Sequence, residues 1–338
     1  MEDQRKTALY KIVLVVGNGF DIDLGLPTRY SDFLGSVYFK RHIFDMKIKD
    51  IKEWNERKKS GIRNPTIRDW FGIDLFDLLE IKRGLTNWVD IERELALVAS
   101  LSDKKEPFET LAVAESSYFE LQKALCEYIK SLSFSGLRED SVAFKLVKAL
   151  NAIPKLVEVL SYNYTDWDVM FPQNKFWVDY IHGCVKDDSI ILGIQDDLDI
   201  QSQYCYMIKT FSEHFHSHRV MQKLMDANEV IFFGHSLGET DYHYFETFFR
   251  RQTHEEYANK DQIIRIFTYD EKSRREILMR LREMNNKRTD YLYGLCDFEV
   301  YRTSQDEDLI NRYIENIAPK AISRMNEPIL RSVWEHRF

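Results

Sequence analysis

At 338 residues the chain is long enough to bury one large core, or one core carrying a substantial helical appendage. Hydrophobic residues make up 44% of it and charged residues 30%, with no apolar run near the roughly 18 residues of a membrane span, so a membrane-spanning protein is not expected. The 47 basic and 55 acidic side chains leave a net charge of -8, which argues against a broad basic face for nucleic acid.

The amino-terminal stretch MEDQRKTALYKIVLVV has too short an apolar run for a secretory signal and no small-residue cleavage site after it, so a cytoplasmic protein is expected. Cys126, Cys184, Cys205 and Cys296 lie far apart without a CxxC pair, a pattern that suits neither a structural zinc site nor a disulfide scaffold.

Ile12 to Val16 is a β-branched run ending in glycine, the pattern of a buried strand. A helix is expected at about 30–38, then a charged excursion over 47–66. Helices are expected near 68–80, 82–102, 106–134 and 142–153, the second with Trp88, Ile91, Leu95 and Val98 forming one apolar stripe. From Leu156 the rhythm changes. Short apolar runs (LVEVLSYN, KFWVDYIHG, SIILGI, EVIFFGHS, IIRIFTYD, DFEVYR) alternate with helical patterns near 206–227, 241–257 and 272–284.

That alternation predicts an α/β protein with a largely parallel, Rossmann-like sheet covered on both faces. The expected organisation is a discontinuous nucleotide-binding unit over 10–40 and 156–305, a mainly helical insertion over 41–155, and a helical tail over 306–338.

The loop VVGNGFDIDLGLPT follows the first strand. Glycines at 17 and 19 permit close backbone approach, but the dinucleotide fingerprint GxGxxG would need glycine at 22, where the chain has Ile22, and no GK[ST] follows for a P-loop. Three more polar corners end later strands: Ser161 to Asp166 (SYNYTD), Tyr180 to Gly183 (YIHG) and Phe233 to Gly238 (FGHSLG), with Asp241 just beyond. Ligands of open α/β sheets bind outside the carboxyl ends of strands, so four such corners point to one pocket.

The combination GNGFDIDLGLPTRYSDF, NWVDIE, SYNYTD, YIHGCVKDDSIILG and FFGHSLGETDYHYF resembles the bacteriophage abortive infection AbiH family across nearly all of 12–270. More remotely, the order GxG…GxP, an Asn after a strand, His-Gly and a late GxSL is similar to the sirtuin-like NAD-binding fold. The resemblance implies phage defence, a nucleotide ligand with NAD as substrate or ligand, a phage or host protein as trigger, and self-association into a homo-oligomer. It implies that Gly17, Gly19, Gly25 and Pro27 shape the first loop, with Asn18 or Phe20 facing the ligand. Asn163 would sit near the nicotinamide ribose, His182 would act on a ribose hydroxyl or water, and Gly234, Ser236 and Leu237, with Asp241 beside them, would form the late loop. The chain departs from sirtuins in having Asn18 for the alanine of the first GAG, Asp21 for the serine that follows, and no paired zinc cysteines, so protein deacylation is not expected.

Hydrolysis of NAD to nicotinamide and ADP-ribose would need a held ribose, a stabilised positive centre and a directed water. Asn163 suits orientation, His182 proton acceptance, and Asp21 or Asp23 negative charge, with at most one of the two acids pointing inward. Trp88 and Glu92, one helical turn apart, are the candidate lid. Two alternatives stand beside this reading. One is a nucleotide-sensing or protein-interaction module without catalysis. The other is a serine hydrolase, since Gly234 to Gly238 fits GxSxG after a strand, with Asp270 and His182 or His336 as triad partners. His214, His216 and His218 lack a third ligand at metal spacing, and no metal is expected.

Overall fold

The computed structural model describes residues 10–43, 75–85, 90–100, 115–238 and 241–326. Six strands form one sheet: β1 (Ile12–Val16), β2 (Val157–Ser161), β3 (Trp177–Tyr180), β4 (Glu229–Phe233), β5 (Ile263–Thr268) and β6 (Asp297–Arg302). Their order is β3-β2-β1-β4-β5-β6, and every pair is parallel. β1, β4 and β5 are buried along their whole length, which is why their sequences are near-continuous apolar runs with no polar alternation.

After β1 come α1 (Asn18–Asp23), α2 (Tyr30–Gly35), α3 (Val37–Lys40), α4 (Leu75–Leu85), α5 (Ile91–Ala99) and α6 (Glu115–Lys130). Helices α2 to α6 bury Phe33, Phe39, Leu79, Leu95, Leu121 and Leu125 in a core of their own, completed by residues 184–208. Asp90 starts α5 by accepting a hydrogen bond from the Arg93 amide at 3.2 Å.

The two faces of the sheet are covered by different helices. On one, Ile12, Leu14, Val159 and Phe233 pack against α7 (Val142–Leu150) and, near the carboxyl end of the chain, against Ile310, Ile314 and Ile317. The short α8 (Trp167–Met170), before β3, joins that same core through Trp167 and Met170; on the other face Val13, Val15, Phe232 and Ile264 meet the helices after β3, α9 (Val220–Asp226), α10 (Tyr242–Gln252), α11 (Glu271–Met284) and α12 (Thr289–Leu295). Alternate residues of each strand thus enter opposite cores.

Several sequence expectations differ from this. The helix at 142–150, read as part of the insertion, is a sheet-covering helix, and it packs on α13 (Glu307–Asn326), read as a tail. Both carry apolar stripes matched to the sheet, Leu146 and Leu150 on one and Ile310 and Ile317 on the other. SIILGI is no strand; its Ile194 makes only an isolated bridge to Ile208. The helix expected over 206–227 is reduced to α9, preceded by 3-10 turns at Ser202–Met207 and Lys209–Phe211.

Candidate functional site

The carboxyl ends of β1, β2, β3 and β4 lie side by side, linked in steps: the Tyr162 amide donates to the Val16 carbonyl at 3.0 Å, Ile181 to Ser161 at 2.8 Å, and Gly17 to Phe233 at 3.1 Å. The order reverses direction between β1 and β4, which makes this rim the switch point where open α/β sheets bind ligands. A cavity of about 420 Å³ opens there, and Asn18, Asn163, His182 and Ser236 all line it.

The loops after β1 and β4 interlock. The Gly19 amide donates to the Gly234 carbonyl at 2.9 Å, and a Cβ on Gly19 would stand 2.6 Å from the Gly234 Cα. A Cβ on Gly17 would stand 2.6 Å from the Cα of His235. Gly234 adopts φ +61, a conformation costly for other residues. These glycines bring two backbones into contact, and Gly17 and Gly234 remain in the cavity wall.

Asp21 points inward from α1 and is 1% exposed. Its Oδ1 accepts from Asn163 Nδ2 at 2.8 Å and its Oδ2 from Thr165 Oγ1 at 2.9 Å. Burial pushes its carboxyl up to about 7, while the hydrogen bonds from Thr165 and Asn163 pull in the other direction. Asn163 Nδ2 also donates to the Gly17 carbonyl at 3.0 Å. Both amide hydrogens are therefore committed to acceptors, which fixes the orientation of the amide and leaves its Oδ1 as the atom offered to a ligand. Asp23 faces away and accepts from the Ala143 amide at 2.8 Å, holding the start of α7.

A second buried polar group forms the adjacent wall. His182 follows β3 through a turn in which Gly183 takes φ +74 and the Ile191 amide donates to the His182 carbonyl at 2.7 Å. Its Nε2 lies 3.0 Å from Asp241 Oδ1. His235 accepts the Leu237 amide on Nδ1 at 3.0 Å, so its Nε2 carries the proton directed to Asp241 Oδ2 at 3.5 Å. Burial opposes ionisation of Asp241, but His182 and Lys209 outweigh it and hold the carboxyl well below the usual range. Tyr162 lies between the two imidazoles, with ring centroids 5.2 Å from His182 and 4.4 Å from His235, and its buried hydroxyl has no hydrogen-bond partner among the described residues.

The helical layer supplies the roof with Tyr30, Phe33, Leu125 and Tyr128, and the Tyr128 hydroxyl donates to the Pro27 carbonyl at 2.6 Å. The mouth is polar: Asn18, Arg29 and Ser236 are exposed, and Thr28 Oγ1 donates to Asn18 Oδ1 at 2.5 Å.

Some predicted residues lie elsewhere. Phe20 does not face the cavity; it is fully buried, stacked on Trp167 at 5.3 Å and edge-on to Phe233. Leu237 is also fully buried, in the core on the opposite face. Gly25, at φ +92, lies against the Arg138 side chain, and Pro27 and Gly19 contribute no cavity surface. Trp88 falls outside the described residues. Glu92 does line the cavity, but as no free lid group: it is buried, with Oε1 3.0 Å from Lys209 Nζ.

Among the described residues the serine-hydrolase geometry is not formed, and His336 lies outside them. Ser236 Oγ accepts from the Gly238 amide at 3.2 Å and has no contact with either imidazole, and the left-handed residues of the loop are Gly234 and Leu237, not the serine. Among the described residues no cluster of three or more His, Cys, Asp or Glu is arranged to hold a metal ion.

Arg29, Thr165, Lys209 and His235 were missed in the sequence. Thr165 and His235 stand inside quoted motifs, two residues after Asn163 and one before Ser236, and their spacing could have drawn notice. Lys209 sits in YCYMIKTF with no local signal.

Sheet order and crevice together define a doubly wound, Rossmann-like α/β protein with a cavity at its switch point. The family model for bacteriophage abortive infection AbiH matches residues 13–259, and the chain belongs to that family. No curated protein matches the sequence. Among solved structures, a mutant Sir2 homologue complexed with ADP-ribose is similar at 12% identity and TM-score 0.33, covering 95% of this chain and 98% of that one. A structure addressing the mechanism and regulation of Sir2 enzymes is similar at 9% identity and TM-score 0.33, covering 94% and 95%. Similarity that slight adds nothing to what the sheet order establishes.

Proposed function

We propose that this AbiH-family protein binds NAD in the switch-point cavity and hydrolyses it to nicotinamide and ADP-ribose, so that abortive infection proceeds by loss of the dinucleotide. The observation that carries this reading is the presence, in the lining of one cavity, of both the Asp21–Asn163 unit and the His182–Asp241 unit. The cavity volume lies in the range of small-molecule sites.

NAD supplies a glycosidic carbon bonded to a cationic pyridine, a good leaving group. Asp21, partly ionised near neutral pH, sets negative charge beside the centre that becomes positive. Asn163 Oδ1 accepts a hydrogen bond from a ribose hydroxyl or from the attacking water and so aligns it. His182 takes the proton lost by that water as its oxygen bonds to the anomeric carbon and the carbon–nitrogen bond breaks; the bond pair leaves with nicotinamide. At the mouth, Arg29 is the one Arg or Lys of the lining among the described residues, a cation available to the pyrophosphate.

Incubation of the purified protein with NAD, followed by chromatography of the products, tests this. Release of nicotinamide with ADP-ribose is expected, and Asn163→Ala and His182→Ala should each lower the rate by about 10²-fold or more while remaining folded. Saturable binding without turnover, also in the presence of phage lysate, would instead identify a nucleotide-sensing module. Full turnover in both variants would remove these residues from the mechanism.

A further inference from the structure

Lys209 is the buried cation of the site, 5% exposed, yet it lies in none of the motifs that mark the cavity. Its amide is fixed by the Ile194 carbonyl at 3.0 Å, in the 3-10 turn that starts with it. Its Nζ lies 3.0 and 3.2 Å from the two oxygens of Glu92, 3.4 Å from His182 Nε2 and 3.7 Å from Asp241 Oδ1. Three separate segments therefore converge on the ammonium group that the Lys209 turn carries: α5, the turn after β3 and the residue before α10.

Burying a lysine costs several kcal/mol unless partners offset it, so its position calls for an account. Stability alone is a poor one, because an apolar side chain could fill the same space against a neutral residue at 92. The charge balance around His182 gives a better one. One buried carboxylate, Asp241, meets the imidazole directly, and a second, Glu92, lies on the other side of the Lys209 ammonium; carboxylates in a poorly solvated site draw a proton onto a neighbouring histidine. Among the described residues the other groups of this region are the Asp90 carboxylate, which also faces Lys209, and the rings of Tyr30, Tyr162, Tyr164, Tyr244, His235 and His243, none of them a fixed cation. Lys209 cancels one of the two negative charges.

We infer that Lys209 is a positioning residue that keeps the His182 ring uncharged, and therefore able to accept a proton, by neutralising Glu92 across the cavity wall. It acts through His182 and Asp241 and does not line the cavity itself. This rests on the reading that His182 is the proton acceptor of the site, but the arrangement of charges is testable without turnover.

The experiment is nitrogen NMR of the histidine rings in the full-length protein at pH 7.5, with His182 assigned from a His182→Gln spectrum. The wild-type ring is expected to show two unequal nitrogen signals, the pattern of a neutral imidazole. In Lys209→Gln they should collapse to the nearly equal pair of an imidazolium, and NAD turnover should fall about tenfold or more. In the double variant Lys209→Gln/Glu92→Gln, which restores the net charge, the neutral pattern should return and turnover should recover to within about threefold of wild type. A neutral ring in folded Lys209→Gln overturns the inference. So does a charged ring in the double variant, which decides the matter if the single variant does not fold. An absence of NAD turnover in the wild type, with the ring patterns as expected, removes the proposed reaction and leaves the charge relation intact.

Discussion

Asp21 shows how one residue can be legible in sequence while its chemistry is not. The loop GNGFDID offers two acids, and their spacing says only that they diverge on a helix. The fold sends Asp21 into the rim against Asn163 and Thr165, and Asp23 to the start of α7. Burial raises the Asp21 carboxyl from its usual 3.8 to about 7, so between roughly pH 4 and pH 7 the folded chain binds a proton that the unfolded chain has lost. Stability from this group is complete below pH 4 and declines as pH rises through 7. Asp21→Asn should consequently match wild type at pH 4 and exceed it by ~1–4 kcal/mol at pH 8, measured by urea unfolding across that range. The same substitution should abolish nicotinamide release, a stability gained at the expense of function. A wild-type pH profile without the decline would show that Asp21 is ionised throughout.

Among the elements, the contact of the first and fourth strand loops decides whether the cavity exists. Gly19→Ala places a methyl group 2.6 Å from the Gly234 Cα, where only backbone can give way. We expect it to cost about 1–3 kcal/mol by urea unfolding and to weaken nucleotide binding measured by calorimetry. Gly35 in α2 is the control: a Cβ there meets nothing within 4 Å, and Gly35→Ala should leave stability unchanged or raise it by up to about 1 kcal/mol. Equal effects at the two positions would mean that the loops are not held together as described. At this scale the sequence was clear for β1, whose β-branched run is bounded by glycine, and unclear for 206–227. There an amphipathic-looking stretch is broken into 3-10 turns because Ile194 and the helical layer take its backbone and side-chain contacts.

At the level of the whole molecule, α13 is an integral cover of the sheet. Ile310 is fully buried against it, in the same core as α7 and β1. Ile310→Ala should cost about 2–5 kcal/mol of unfolding free energy while leaving the affinity of the folded protein for nucleotide at its wild-type value, since Ile310 lies in the sheet-face core and the cavity lies at the rim. Loss of affinity in the folded variant would tie this face to the site.

By itself the sequence marked seven apolar runs and a largely parallel sheet, because strands buried on both faces are apolar throughout; six of the runs form that sheet and SIILGI does not, and four of the six end in the polar corners it also marked. It determined family membership through motifs spread along most of the chain. Only the tertiary structure decided that Phe20 and Leu237 turn into cores, that Glu92 is pinned, and that Lys209 reaches His182. Local pattern records which residues prefer burial or turns; it holds no record of which distant side chain will stand 3 Å away, and the charge balance of a buried site depends on that distance.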